Sequence, residues 1–199
     1  MAEIKFFNKW TAEGVQVTDL GLQRYLTLQP KIIPKTGARY AGNRFHKSQT
    51  FIVERLATKL MNSGHRAKKH LLSSGHNSGK KNHALSIVEE ALKKAEVKLK
   101  NNPLAILVKA VENAAPREEV IAIEYGGARY PKAVDIAPQR RIDLALRFMT
   151  QGAYAKSFNK KVKIEDALAE EIISAAQCSG KSAAVSKKKD LERQAASSK

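Results

Sequence analysis

Residues 84–115 read ALSIVEEALKKAEVKLKNNPLAILVKAVENAA, and they leave the chain little choice of fold class. Leu85, Val88, Ala91, Leu92, Ala95 and Leu99 recur three and four residues apart, which puts them on one face of a helix from His83 to Lys100. Glu89, Lys93, Glu96 and Lys100 fall on the outer face, in two i,i+4 pairs of the favourable orientation. Asn101 and Asn102 stop this helix, and Pro103 opens another that carries Leu104, Leu107, Val108 and Val111. Asparagine caps a helix, and proline's fixed φ suits the first turn. Two adjoining amphipathic helices need further apolar faces to cover them, so the class is mainly α, a helical bundle.

The rest of the chain supplies those faces. Residues 1–34 alternate weakly and contain Pro30 and Pro34, which predicts an extended N-terminal arm with at most a short helix near Leu20–Leu28. Ile52, Val53, Leu56, Ala57 and Leu60 mark one face of a helix between Gln49 and Met61. Residues 62–82 are rich in Gly, Ser, Asn and Lys and read as a loop containing a near-repeat, SGHRAKKH and SGHNSGKKNH. After Pro116 the period changes to two: EEVIAIEY, then Gly126-Gly127, then a second extended run. This is a β-hairpin at about 118–135. Pro131 cannot donate to a ladder, so the hairpin is an edge or a projecting ribbon. A helix follows from Pro138 to about Gly152, and another from Ile164 to about Cys178 with Leu168, Ile172 and Ala175–Ala176 in its stripe. The tail after Gly180 reads either as an exposed helix or as chain without fixed structure. The expected architecture is five to six helices with a protruding hairpin between the fourth and fifth: an arm at 1–34, a body at 35–180 and a basic C-terminal tail at 181–199.

Charge narrows the function. The chain has 199 residues, 36 Lys+Arg against 19 Asp+Glu, and a net charge of +17. Such an excess repels itself in a compact state and calls for a polyanionic partner. It is unevenly spread: residues 35–83 hold eleven basic side chains against one acidic together with all five histidines, and residues 125–163 hold nine against two. Residues 1–34, 84–124 and 164–199 are close to neutral. A polybasic tail would place the excess at one end, so this pattern implies a folded body with two basic surfaces. The single cysteine, Cys178, allows no internal disulfide and suggests a reducing compartment. There is no apolar run long enough to cross a membrane, and the first residues lack a continuous apolar signal region. A soluble, intracellular, polyanion-binding protein with no membrane partner is expected.

Enzyme chemistry finds no support. No phosphate-loop, dinucleotide-binding or nucleophile-elbow motif is present. The histidines between 46 and 83 have lysine neighbours, which would repel a metal ion, so no metal site and no cofactor are expected. Glu89-Glu90, Glu118-Glu119 and Glu170-Glu171 read as solvated helix faces or ends.

The basic side chains instead sit on structured elements. On the helix from Pro138, Ile142, Ala145, Leu146 and Met149 form the buried stripe, with Arg140, Arg147 and Gln151 opposite and Arg141 on the flank. Arg140 and Arg141 occupy the first turn, where the helix dipole favours anions. Few acids lie nearby, so these charges are expected to lack internal partners and to meet a phosphate. Removing both should leave the isolated fold as stable as before or slightly more so. In TGARYAGNRFHKSQ, residues 36–49, Arg39, Arg44 and Lys47 interleave with Tyr40, Phe45 and His46. Cations fit phosphates there, and aromatic planes can stack on unpaired bases. From composition and pattern alone, a helical DNA-binding architectural protein fits as well as an RNA-binding one.

FFNKWT, ARYAGNRFHKSQTFIVERLATKLM, NSGKKNHALSIVEEAL, NNPLAILVKAVENAAPREE, GGARYPKAVDIAPQRRIDLALRFM and KKKDLERQAASS together resemble a known family. It is the universal small-subunit ribosomal protein called S-seven in bacteria, and the likeness is greater to its eukaryotic form, numbered five. The resemblance implies a structural protein with no catalytic role and no small-molecule substrate, bound to small-subunit ribosomal RNA in the head and helping to assemble that domain. It implies neighbouring small-subunit proteins as partners, and a place near the exit-site tRNA and the messenger RNA. It also implies a cytoplasmic location, with passage through the nucleus and nucleolus during assembly. Carried over by position, Gly126, Gly127, Arg129 and Lys132 form the hairpin tip that reaches tRNA or messenger, while segment 36–59 and Arg140–Arg141 meet ribosomal RNA. Lys80, Lys81, Arg117 and Arg147 join them as candidate RNA contacts. Three features depart from the family pattern. Phe51 stands where proline is expected, so the helix start is expected to differ by a turn; the loop at 63–82 is longer; and EEVIAIEY is more apolar, which suggests a protein neighbour or packing against the body.

Overall fold

The computed structural model describes residues 4–32, 35, 37, 42–65, 75 and 77–199. Within them the elements run α1 (Leu20–Gln23), a 3-10 turn (His46–Gln49), α2 (Ile52–Leu60), α3 (Lys81–Leu99), α4 (Pro103–Ala114), β1 (Glu118–Tyr125), β2 (Ala128–Asp135), α5 (Pro138–Ser157), α6 (Ile164–Ala176) and α7 (Ala183–Ala196). The architecture is mainly α, with the hairpin between the fourth and fifth helices as expected. Seven helices stand among the described residues rather than five or six: the short helix expected near Leu20–Leu28 is the single turn α1, and the C-terminal tail, left open as helix or unstructured chain, forms α7.

α6 is the centre of the bundle, packed against α3, α4, α5 and α7. Leu168, Ile172 and Ala175 of α6 meet Val88 and Leu92 of α3, Leu104, Leu107 and Val111 of α4, and Ile142, Leu146 and Met149 of α5 in one buried core. Full burial of each large side chain contributes about 1.5–3 kcal/mol. The junction of α3 and α4 forms as the sequence dictates: Asn102 Oδ1 accepts from the Leu104 N–H at 2.9 Å, and Pro103 takes the first turn. Lys100 leaves α3 in the left-handed conformation, so the expected Glu96–Lys100 pair does not form; Glu96 accepts from Trp10 Nε1 at 2.8 Å instead. Glu89 and Lys93 do pair, at 3.6 Å.

The N-terminal arm is extended but not detached. Phe6, Trp10, Leu22 and Leu26 lie in the core, and Asn102 Nδ2 holds the Thr11 carbonyl at 3.0 Å. Phe51 is the residue before α2, which begins at Ile52, and its φ of −53° is a value proline also adopts. Its ring is buried against Phe6, with centroids 5.6 Å apart.

Two further differences have one cause. α5 runs five residues past Gly152, to Ser157. Gly152 does not end the helix; it admits a neighbour. A Cβ there would stand 2.7 Å from Ala183 Cβ and 3.3 Å from Glu171 Cδ. Glu171 is not on a solvated face: it is fully buried, accepting from Ser182 Oγ at 2.7 Å and the Ala184 N–H at 3.0 Å, with Lys156 Nζ at 3.2 Å. It therefore anchors the start of α7 beneath α5.

The hairpin pairs antiparallel from Glu118↔Asp135 to Tyr125↔Ala128, leaving a two-residue turn. Gly126 (φ +59°) and Gly127 (φ +81°) both take left-handed values, the conformation a tight turn needs to match the twist of its strands. Only the base is covered, by α7, where Lys199 reaches Glu118 at 2.8 Å. The outer half projects into solvent. Residues 66–74 and 76 of the loop at 62–82, which include much of its near-repeat, lie outside the described residues, as do Arg39 and Tyr40.

Candidate nucleic-acid interface

The 3-10 turn and two neighbouring helices converge on Asp143. Lys47, from the 3-10 turn, donates to one of its carboxylate oxygens; Arg55 Nη2, from α2, lies 3.3 Å from the other, and Lys59 Nζ, one helical turn on, lies at 4.0 Å. Arg147, one turn along α5 from Asp143 and exposed, adds its charge at Lys59. Burial works against the Asp143 carboxylate. The Lys47 hydrogen bond and the charges of Lys59, Arg55 and Lys47 outweigh it and hold the carboxyl below its usual range. Burial also lowers Lys59; Asp143 opposes this, while Arg147, Lys47 and Arg55 add to it. Three cations around one carboxylate, with Arg147 adding a fourth charge beside Lys59, leave a local excess that an arriving anion would relieve.

The adjoining surface is aromatic. Phe45 is 55% exposed; the Arg44 guanidinium carbon stands 5.8 Å from its ring centroid, and the Tyr25 ring lies 6.4 Å away. Gln139 Nε2 donates to the Arg44 carbonyl at 3.3 Å, tying this segment to the first turn of α5. His46 is exposed beside them. The sequence reading includes Arg55 and Lys59 only as part of segment 36–59, without singling them out, and gives Asp143 no role at the site. Spacing along α2 and α5 cannot show that these side chains meet; the packing of the two helices brings them together.

The first turn of α5 differs from expectation. Arg141 is turned inward: its Nη2 donates to Asp19 Oδ2 at 2.8 Å and its Nε to the Pro116 carbonyl at 3.1 Å, with the side chain 11% exposed. Arg140 is gripped at two points by Glu119, at 2.7 and 2.8 Å, while its side chain stays 54% exposed. Both arginines thus have internal partners, and those partners come from outside the basic segment. Asp19 feels burial first, which raises its carboxyl; the Arg141 and Gly21 hydrogen bonds and the charges of Arg141 and Arg117 carry it below its usual value.

The remaining candidates separate. Lys81 is turned inward to Glu54, at 3.3 Å, and to the Glu54 carbonyl, at 3.2 Å, whereas Lys80 is exposed. Arg117 is exposed, and its backbone N–H is held by Glu192. On the hairpin, Arg129 meets Glu124 across the ladder at 3.4 Å, and Lys132 is exposed. One face of the ribbon carries Ile121, Ile123 and Tyr125 with Tyr130 and Lys132 opposite; Tyr125 is 81% exposed. This apolar strand does not pack on the body beyond its base. Among the described residues, no group of three or more His, Cys, Asp or Glu is placed to hold a metal ion, and no helix is long and apolar enough to cross a membrane.

Comparison with known proteins is consistent with this geometry. The family model described as Ribosomal protein S7p/S5e matches residues 22–199. The small ribosomal subunit protein uS7 of Nanoarchaeum equitans is 50% identical over 197 residues, covering 99% of this chain and all of that one. Those of Methanosphaera stadtmanae and Methanothrix thermoacetophila are 47% identical over 193 residues and 45% over 190, each with at least 96% of this chain and 97% of the relative covered. With matches spanning nearly the whole chain and a helical bundle with its hairpin in the expected place, the protein belongs to the S7p/S5e family of ribosomal proteins.

Proposed function

We infer that the chain is a structural, RNA-binding constituent of the small ribosomal subunit, without catalytic activity, and that it helps to organise the head domain of that subunit. The observation that carries the RNA-facing surface is the gathering of Lys47, Arg55 and Lys59 around the single carboxylate of Asp143, with the Arg147 charge acting on Lys59, beside the exposed Phe45 and Arg44. Lys47, Lys59 and Arg147 take successive phosphates of the ribosomal RNA, and the Phe45 ring stacks on an unpaired base; Arg55, buried and held by the Tyr25 carbonyl and Asp143, supports them from within. Arg39, Tyr40 and His46 extend this surface along the chain. Lys81, Arg117, Arg140 and Arg141 border it, with Arg140 reaching a phosphate by its exposed edge and Arg141 supporting the first turn from within, while exposed Lys80 is a further RNA contact outside it.

The projecting hairpin reaches the exit-site tRNA or the messenger with Gly126, Gly127, Arg129 and Lys132, and Ile121 with Ile123 suits a neighbouring small-subunit protein. The location is cytoplasmic, with nuclear and nucleolar passage only in a cell that has those compartments. The test is the salt dependence of binding to a small-subunit head RNA fragment. Lys59→Gln with Arg147→Gln should lower the slope of log K against log salt by about two, one per lost phosphate contact. Excess duplex DNA should not displace the native chain. An unchanged slope, or ready displacement by DNA, defeats the reading and favours an architectural DNA-binding role.

A further inference from the structure

We propose that the cavity between α2, α3 and the end of α5 is a receptor for a single unstacked nucleobase of the small-subunit RNA. This rests on the ribosomal reading above and adds a second RNA-binding element, away from Asp143. The cavity holds about 140 Å³. Cavities of roughly this size take up one six-membered ring. Its walls are apolar, formed by Leu60 at the end of α2 and Met61 just after it, Ala84 and Ile87 from α3, and Ile164 from the start of α6. An aromatic plane is provided by Tyr154, whose ring is stacked on Phe158 with centroids 5.4 Å apart and planes 28° apart. Polar groups suited to a base edge come from Ser63 and Asn77. Apolar walls with a few convergent polar groups are what a flat heterocycle requires.

The rim identifies the occupant. Lys80 and His83 stand at the mouth and are exposed. Ser157 and Ile164 also line the cavity, and the turn that joins them carries Lys160, Lys161 and Lys163 with no acidic residue. All three lysines are exposed; Lys163 adds its charge at Asp166, and among the described residues neither Lys160 nor Lys161 is in an ion pair. An apolar slot with Lys80 and His83 at its mouth and exposed lysines on the adjoining turn suits a base flanked by phosphates, and suits poorly an apolar peptide side chain, which would leave these cations without an added anion. The base enters the slot, and its neighbouring phosphates lie on Lys80 and on the Lys160–Lys163 turn.

The experiment probes bases chemically in the complex of the full chain with a small-subunit head RNA fragment. The native chain should protect one unpaired base at its Watson–Crick edge. Ser157→Trp, which fills the slot, should restore that base's reactivity, keep the rest of the footprint, and weaken binding about tenfold, the effect of losing one stacked base. Lys80→Gln with His83→Gln alters exposed side chains only. It should expose the same base and reduce the salt slope by about one; this pair decides the matter if Ser157→Trp does not fold. Retention of the full footprint by the variants overturns the receptor while leaving the Asp143 surface intact. A native chain that protects no RNA overturns the ribosomal reading itself.

Discussion

Arg141 Nη2 donates to Asp19 Oδ2 at 2.8 Å across 122 residues of chain, and the same guanidinium holds the Pro116 carbonyl. The arginine thus ties the N-terminal arm, the end of α4 and the first turn of α5 together. Arg140, its neighbour, instead holds Glu119 at the surface.

The two arginines should therefore behave differently when removed. Arg141→Ala leaves a part-buried carboxylate and a buried carbonyl without their donor, and should destabilise the free protein by about 2 kcal/mol. Arg140→Ala removes an exposed pair and should cost less than about 1 kcal/mol. Urea unfolding of each single variant checks this. Equal, near-zero effects would return Arg141 to the role of a free phosphate ligand.

Acid should weaken the same tie. Asp19 and Asp143 both titrate below the ordinary carboxylate value of 3.8, held there by their cations against the effect of burial. Their contribution is fully present above the unfolded-state pKa and is lost as pH falls through the lower folded-state values. The stability gap between the native chain and Asp19→Asn should be constant near pH 6 and should shrink below about pH 3.8. A gap that persists at about pH 2 would mean that the Asp19 charge does not stabilise the fold.

Gly152 tests the packing of α7. Alanine at a helix interior normally gains about 1 kcal/mol over glycine. Here its Cβ would stand 2.7 Å from Ala183 Cβ, on a helix end already fixed by Glu171. Overpacking of this kind costs about 1–3 kcal/mol, so Gly152→Ala should lower Tm. Adding Ala183→Gly should recover most of the loss, and a rise in Tm for the single variant would show that α7 yields freely.

Local features were legible in the sequence; distant partners were not. The stripe Ile142, Ala145, Leu146 and Met149 is fully buried, and the Gly126-Gly127 turn and the Asn102-Pro103 junction form as written, because each signal lies within a few residues. Arg141 looked unpaired because its partner, Asp19, belongs to a different charge block. Glu171 looked solvated because its burial depends on Ser182 and Ala184 folding back over it. Gly152 looked like a terminator because sequence cannot tell a glycine that ends a helix from one that admits another. The Asp143 cluster needed α2 and α5 side by side, which only the packed bundle supplies.

The hairpin offers the last test. Its outer half is exposed on both strands among the described residues, and its turn needs two left-handed residues. Deleting Tyr125–Arg129 removes that turn and Arg129 but leaves the α7-backed base, Glu118 with Lys199 included. The truncated chain should therefore unfold at the same urea concentration as the native one, and should enter small subunits to the same extent. Particles carrying it should bind exit-site tRNA more weakly or hold messenger less firmly, measured by filter binding of deacylated tRNA and by messenger protection. A truncated chain that fails to enter particles would make the hairpin an assembly element, with Ile121 and Ile123 rather than Arg129 as its working residues.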